Sequence, residues 1–163
     1  MVDASDLIGD TLPALTYLTG DIPSRTLAAS ATHKVIIPFQ GAYQRTFVAA
    51  TGRTANPHGV MVRSVALAYR VNTTTITSAT MALRNYRLVA AAALPTVTAP
   101  AGAVAGNTLT AAANVYLMTF TPTTPAFLVV GDTVIDALAT IVVPGSSTCD
   151  LIGASWRVAA ALY

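Results

Sequence analysis

The sequence predicts an all-β chain: a single-domain β-sandwich, jelly-roll-like, with an irregular N-terminal arm. Three observations predict it. Helix formers are scarce, since the chain has no Glu and Lys34 is its only lysine, while Thr and Val abound; β-branched residues favour strands. Apolar side chains alternate with small or polar ones over 59–71 and again over 78–84, the period-two pattern of a half-buried strand. Turn signals recur at intervals of roughly ten residues, the spacing of a sandwich or barrel. With 163 residues, one domain can bury a substantial core. Long irregular connections favour Greek-key or jelly-roll wrapping over an up-and-down barrel.

The division is an arm over 1–30 and a sandwich over 31–163. In the arm, DASDLIGD suits one short helical turn, after which Pro13, Gly20 and Pro23 interrupt any regular pattern. KVIIPF (34–39) is a strand, and Pro38 inside it places it at an edge or a bulge. YQRTFVAA (43–50) is a second short run, and TGRTANPHG (51–59) is a loop.

The centre is 59–88. In its first run Met61, Val65, Leu67, Tyr69 and Val71 share a face, with Arg63 as the exception. In its second run Ala79, Met81 and Leu83 share a face, and the stripe changes parity near Asn85, which predicts a bulge or a change of sheet. A two-residue hairpin turn at Thr73-Thr74 would set Arg63 opposite Arg84. Like charges directly across a ladder destabilise it, and the turn lacks Asn-Gly or Asp-Gly chemistry. A longer connection between strands of two packed sheets is therefore expected.

Residues 90–108 read as a long surface loop or extended arm, because Pro95 and Pro100 exclude a continuous helix. ANVYLMTFT (113–121) is a central strand with apolar residues on both faces, and 122–132 is a turn, a buried segment and a second turn. TVIDALATIVV (133–143) is a strand with Ile135, Ala137, Ala139 and Ile141 on one face. The Pro144-Gly145-Ser146-Ser147 turn leads to the last strand (148–163), where Ile152, Ala154, Trp156, Val158 and Leu162 share a face with Asp150. Some seven or eight strands result.

The chain is 53% hydrophobic and 10% charged, well under the roughly 25% charged of ordinary domains. No run approaches the roughly 18 apolar residues of a membrane span, and the acidic start is unlike a secretory leader. Weak surface charge points to a surface covered by partners. Asp3, Asp6, Asp10 and Asp21 precede position 22, Asp132, Asp136 and Asp150 follow 131, and the stretch between is acid-free but holds eight basic residues. Acidic ends meeting the basic middles of neighbouring copies would use this asymmetry. The candidate interface residues are Asp3, Asp6, Asp10, Arg63, Arg70, Arg84 and Arg87.

Chemistry is poorly represented. His33 and His58 are isolated, and Cys149 carries no nucleophile signature; it reads as a small buried hydrophobe. The Asp3, Asp6, Asp10 spacing lacks the Gly and closing Glu of a calcium loop. No catalytic residue, cofactor or metal site is expected, and an enzyme is disfavoured. The arginines are spread singly, which disfavours nucleic acid.

The irregular arm, KVIIPF, VRSVALAYRVNTTTITSATMALRNYRL, NVYLMTFTPTTPAFLVVGDTVIDALATIVV and the closing GASWRVAAALY form a layout. Over roughly residues 30–163 it resembles the small jelly-roll proteins of tailed-phage virions, especially capsid decoration (cement) proteins. The resemblance implies a homotrimer or related cluster on the outer capsid surface that bridges major capsid proteins without catalysis. The arm departs from genome-binding coat proteins in lacking a dense basic run. The alternative is a head-fibre or tail module that binds a glycan or host surface.

Overall fold

The computed structural model describes residues 2–9, 12–18, 22–39, 59–87, 97–124, 126–129 and 133–161. The expected run at 43–50 lies outside them, as does the loop at 51–58. The strands are β1 (Val2–Asp3), β2 (Thr16–Leu18), β3 (Ile22–Leu27), β4 (Ala31–Pro38), β5 (Gly59–Val71) and β6 (Ser78–Arg87), followed by β7 (Val97–Thr98), β8 (Gly102–Ala105), β9 (Tyr116–Pro122), β10 (Ala126–Val129), β11 (Thr133–Val143) and β12 (Cys149–Ala161). Seven of these have six or more residues.

The strands form two antiparallel sheets. The larger runs β2-β3-β12-β5-β9-β8, with β1 added to β12 and β10 to β5; the smaller runs β4-β11-β6-β7. The inner orders β3-β12-β5-β9 and β4-β11-β6-β7 have the jelly-roll wrap: β3 and β4 pair with β12 and β11, and the chain passes repeatedly from one sheet to the other. The central pair obeys the charge argument. β5 and β6 belong to different sheets, so Arg63 never faces Arg84. Pro38 ends β4, an edge strand as expected.

The core lies between the sheets. Val65, Leu67, Tyr69 and Val71 enter it from β5, Met118 and Phe120 from β9, and Val35 and Ile37 from β4. Ala79, Met81 and Leu83 enter from β6, and Ile135, Ala137, Ala139 and Ile141 from β11, as their alternation predicts. Trp156 ties the sheets together: its indole N–H donates to the Pro38 carbonyl at 3.1 Å, and its ring meets Phe39 edge-on with centroids 5.1 Å apart.

Two register breaks correct the simple alternation. Arg157 pairs with Ser64 and Val158 with Val62, which leaves Arg63 as the extra residue of a bulge on β5. Val62 thereby replaces Met61 as the inward residue and is fully buried. The one residue that broke the stripe thus sits where the backbone breaks. Likewise Leu151 pairs with Tyr69 and Gly153 with Ala68, so Ile152 is extra on β12. The face expected for Asp150 is corrected by this break: Cys149 and Leu151 point inward before it and Ala154 after it, which leaves Asp150 on the opposite face, beside Arg70. The bulge expected near Asn85 does not occur. β6 pairs with β11 from Arg87↔Thr133 to Ser78↔Val142 without a shift.

The described parts of 1–30, read as an irregular arm from Pro13, Gly20 and Pro23, pair with strands of the sandwich. β1 pairs with β12, β3 pairs with β12 and β2, and Ile8 exchanges backbone hydrogen bonds of 3.0 and 2.6 Å with Ile36. Val2, Ala4, Leu7 and Leu27 are buried. Arg25 donates from Nε to the Ala4 carbonyl at 2.7 Å and from Nη1 to the Pro13 carbonyl at 2.6 Å. Gly153 permits this closure, since a Cβ there would lie 2.8 Å from the Val2 carbonyl oxygen.

Deleting residues 1–30 should therefore abolish cooperative unfolding rather than remove a separable arm. Calorimetry of the shortened chain tests this, and a transition like that of the whole chain would refute it.

Candidate interaction surface

The structure sorts the seven candidate interface residues into distinct settings. Two arginines are engaged within the chain. Arg70 stands directly across from Asp150 on β12 and donates from Nη2 at 2.7 Å and from Nε at 3.2 Å. Thr26, on the other side of β12, donates its hydroxyl to the same carboxylate at 2.7 Å. Arg84 stands directly across from Asp136 on β11 and makes a two-pronged contact of 2.7 and 2.8 Å. Asp136 and Asp150 are 5% and 2% exposed, so each needs its arginine as counter-charge. The acidic late segment and the basic middle do meet, and for these pairs they meet inside one chain.

Asp3 is exposed at the end of β1, just before the turn at 4–6. Its carboxylate accepts hydrogen bonds from the Ser5 hydroxyl and from the Ser5 backbone N–H. Those bonds, the hydroxyl first, hold it below the usual carboxylate value. The Asp6 carboxylate accepts from the Asp3 backbone N–H at 3.3 Å. Asp10 lies outside the described residues. Arg87 ends β6 opposite Thr133. Arg63 is exposed at the β5 bulge.

The outer face of β9, β5 and β12 is continuous across three strands. Register places Leu117 beside Ala68 and Gly153, and Thr119 beside Ala66 and Ser155. Thr121, Ser64 and Arg157 continue the same strands and line one concavity together. Leu117 is 56% exposed. This corrects the expectation that both faces of 113–121 are covered: β9 is an inner strand of its sheet, yet Met118 and Phe120 are buried while Leu117 is exposed. At one end of the face an apolar hollow of about 360 Å³ lies among Ile22, Ala68, Leu117 and Ile152. At the other end, four residues along β5, a polar cleft holds Arg63 and Arg157. Sequence reasoning missed Leu117 as a surface residue because alternation alone does not say which stripe is covered. It also passed over Arg157, which lay outside the acid-free middle.

The other expected loop, 90–108, is described from 97 onward. There it supplies the edge strands β7 and β8. Most of these residues are exposed, and Gly106 adopts a φ of 70° where a Cβ would meet the Leu117 carbonyl oxygen at 2.3 Å. Tyr69 fastens the segment by donating its hydroxyl to the Thr108 carbonyl at 2.6 Å.

Of the residues with potential chemistry, His33 and Cys149 are buried. His33 is buried on the inner face of β4, with Nε2 2.9 Å from the Ala28 carbonyl oxygen. His58 lies outside the described residues. Among the described residues no group of three His, Cys, Asp or Glu gathers as a metal site, and no helix is long and apolar enough to cross a membrane. Cys149 is fully buried on the core face, and burial, reinforced by Asp150, pushes its thiol from 9.0 up to about 12.

That shift predicts an alkaline limit. The folded state holds the thiol proton more tightly than the unfolded chain, so this contribution is complete below about pH 9 and is lost as pH rises through about 12. Tyr69, pushed from 10.0 to about 12 chiefly by burial, acts in the same direction. Urea midpoints measured against pH should fall above pH 9, and less steeply in Cys149→Ala. Native Cys149 should also resist a thiol reagent until the chain unfolds.

The ion pairs carry a second prediction. Arg84→Met takes from buried Asp136 its two-pronged contact with Arg84 and should cost about 3 kcal/mol, whereas Arg84→Met with Asp136→Leu should recover most of that loss. Denaturant unfolding of the single and double variants measures both.

Compared with protein-family models, with curated proteins and with solved structures, the chain matches none.

Proposed function

We propose that this protein is a structural subunit of a virion, decorating and stabilising a phage capsid by bridging major capsid proteins as a homo-oligomer, with a trimer favoured. The observation that carries the reading is the outer face of β9, β5 and β12. It is small-residue-rich along Ala66, Thr119 and Ser155, and it exposes Leu117 beside an apolar hollow. A soluble monomer rarely leaves such a surface bare. Burial of apolar surface contributes about 25 cal/mol per Å², less the cost of association.

Two further features support it. The jelly-roll wrap is used by viral capsid domains, although it also serves lectins and small-molecule enzymes, so the fold alone does not decide. The low charge of the chain, 10% of residues, suits a protein that spends its life against neighbours. Two of the arginines read as contacts, Arg70 and Arg84, act within the subunit. The reading therefore rests on the apolar face and on the exposed segment around β7 and β8.

The test is the mass of the purified chain, alone and after mixing with empty phage capsids. The expected results are a homo-oligomer alone and saturable decoration of the shells. Leu117→Asp should leave thermal stability within about 0.5 kcal/mol of the parent, as exposed substitutions do, and should weaken shell attachment at least about tenfold, equivalent to 1.4 kcal/mol. Undiminished attachment of that variant would remove the face from the interface. A monomer that ignores capsids would overturn the proposal.

A further inference from the structure

The described basic side chains divide by partner. Arg25 donates to backbone carbonyls, and Arg70 and Arg84 are held by aspartates. Arg63 and Arg157 have neither an ion pair nor a hydrogen bond to any described residue. Both are exposed, and both line one cleft of about 450 Å³ with Ser64, Thr121 and Val158. No acid lines it.

The backbone brings these two cations together. Alternation from Val65, Leu67 and Tyr69 would send Arg63 towards the core, where those side chains are fully buried. The extra residue between the Ser64↔Arg157 and Val62↔Val158 pairs releases Arg63 from that alternation and leaves it beside Arg157. A bulge re-aims a side chain and bends its strand. Here it concentrates positive charge in a concavity whose wall also carries the Ser64 and Thr121 hydroxyls.

We propose that this cleft is an oxyanion-binding site that takes a sulfate or phosphate group. Each guanidinium offers five N–H donors in a planar fork that matches two oxygens of a tetrahedral anion. The hydroxyls supply further donors. A doubly charged anion also relieves the repulsion between two like charges that no described residue of the cleft neutralises. The volume exceeds that of a bare ion, which leaves room for the group that bears it as an ester. The inference is independent of capsid attachment, since it uses the opposite end of the face from Leu117.

The test is a titration of the isotopically labelled full chain, followed by nuclear magnetic resonance at constant ionic strength. Inorganic phosphate and glucose 6-phosphate serve as probes, with chloride and acetate as controls. Saturable shifts confined to residues 63, 64, 121 and 157 are expected with both probes. Tighter binding of the sugar ester would assign the site to an esterified ligand, and equal binding to the free ion. Arg63→Gln and Arg157→Gln should each weaken binding at least about tenfold, the loss of one charge-assisted contact, while Lys34→Gln on the other sheet should not. Two substitutions at separate positions keep the test open should one of them disturb the bulge. Shifts that stay linear to about 100 mM, well beyond a millimolar Kd, would overturn the proposal. So would equal shifts with chloride or acetate, or equal weakening by Lys34→Gln.

Discussion

The ladder between β12 and β5 is the constraint on which the rest of the sandwich depends. It runs from Cys149↔Val71 to Ala161↔Gly59 and is broken twice, at Ile152 and at Arg63. On its other edge β12 receives β1 and β3, so the beginning, middle and end of the chain meet on one strand. Each break reverses which side chains face the core. The break at Ile152 turns Asp150 away from the apolar interior while Leu151 and Ala154 stay within it. The break at Arg63 admits Val62 and keeps a guanidinium out. A regular ladder of the same sequence would bury one charge or expose part of the core.

The two internal ion pairs follow from this same accounting of register. Asp136 and Asp150 lie at inner positions of their sheets, each flanked by strands on both sides. A carboxylate there loses water, and an arginine directly across the ladder is the most direct replacement. Arg84 meets Asp136 with two prongs, while the Asp150 carboxylate accepts from both Arg70 and the Thr26 hydroxyl. Such pairs add little net stability against a well-packed apolar alternative, yet they penalise any register that separates them. With one pair in each sheet, both registers are marked. This gives the sequence's segregation of acids from bases a purpose inside the subunit.

The fold was legible where one physical signal dominated. Alternation over 133–143 located β11 and its inward residues, and the like-charge clash of Arg63 with Arg84 correctly separated β5 from β6 into two sheets. Legibility failed where backbone irregularity intervened. Nothing in the residues around Ile152 announces an extra residue, although Gly153 beside it allows β1 to approach. The described part of the first thirty residues looked irregular because its strands are short and Pro23 falls within one; β1 and β3 are held by β12, more than a hundred residues away. The outer face was harder still. Leu117 alternates with Met118 as any inner-strand residue would, and only the packed structure shows which of the two stripes lacks a cover.

Chain connectivity also shapes how this sandwich must form. β1 pairs with β12, and β4 with β11, across most of the sequence. Closing such loops costs entropy that grows only slowly with length, but it must be met before the ladders compensate it, so folding of this topology is slow relative to local hairpins. Until β12 arrives, β3 and β5 present unpaired edges. The finished molecule guards the edges that remain: β4 carries exposed Lys34 and ends at Pro38, and β7 and β8 are two and four residues long. With edge-to-edge pairing discouraged, association through a sheet face rather than an edge is the contact this architecture leaves open. The outer surface of β9, β5 and β12, where Leu117 stands exposed beside Ala68 and Gly153, is such a face.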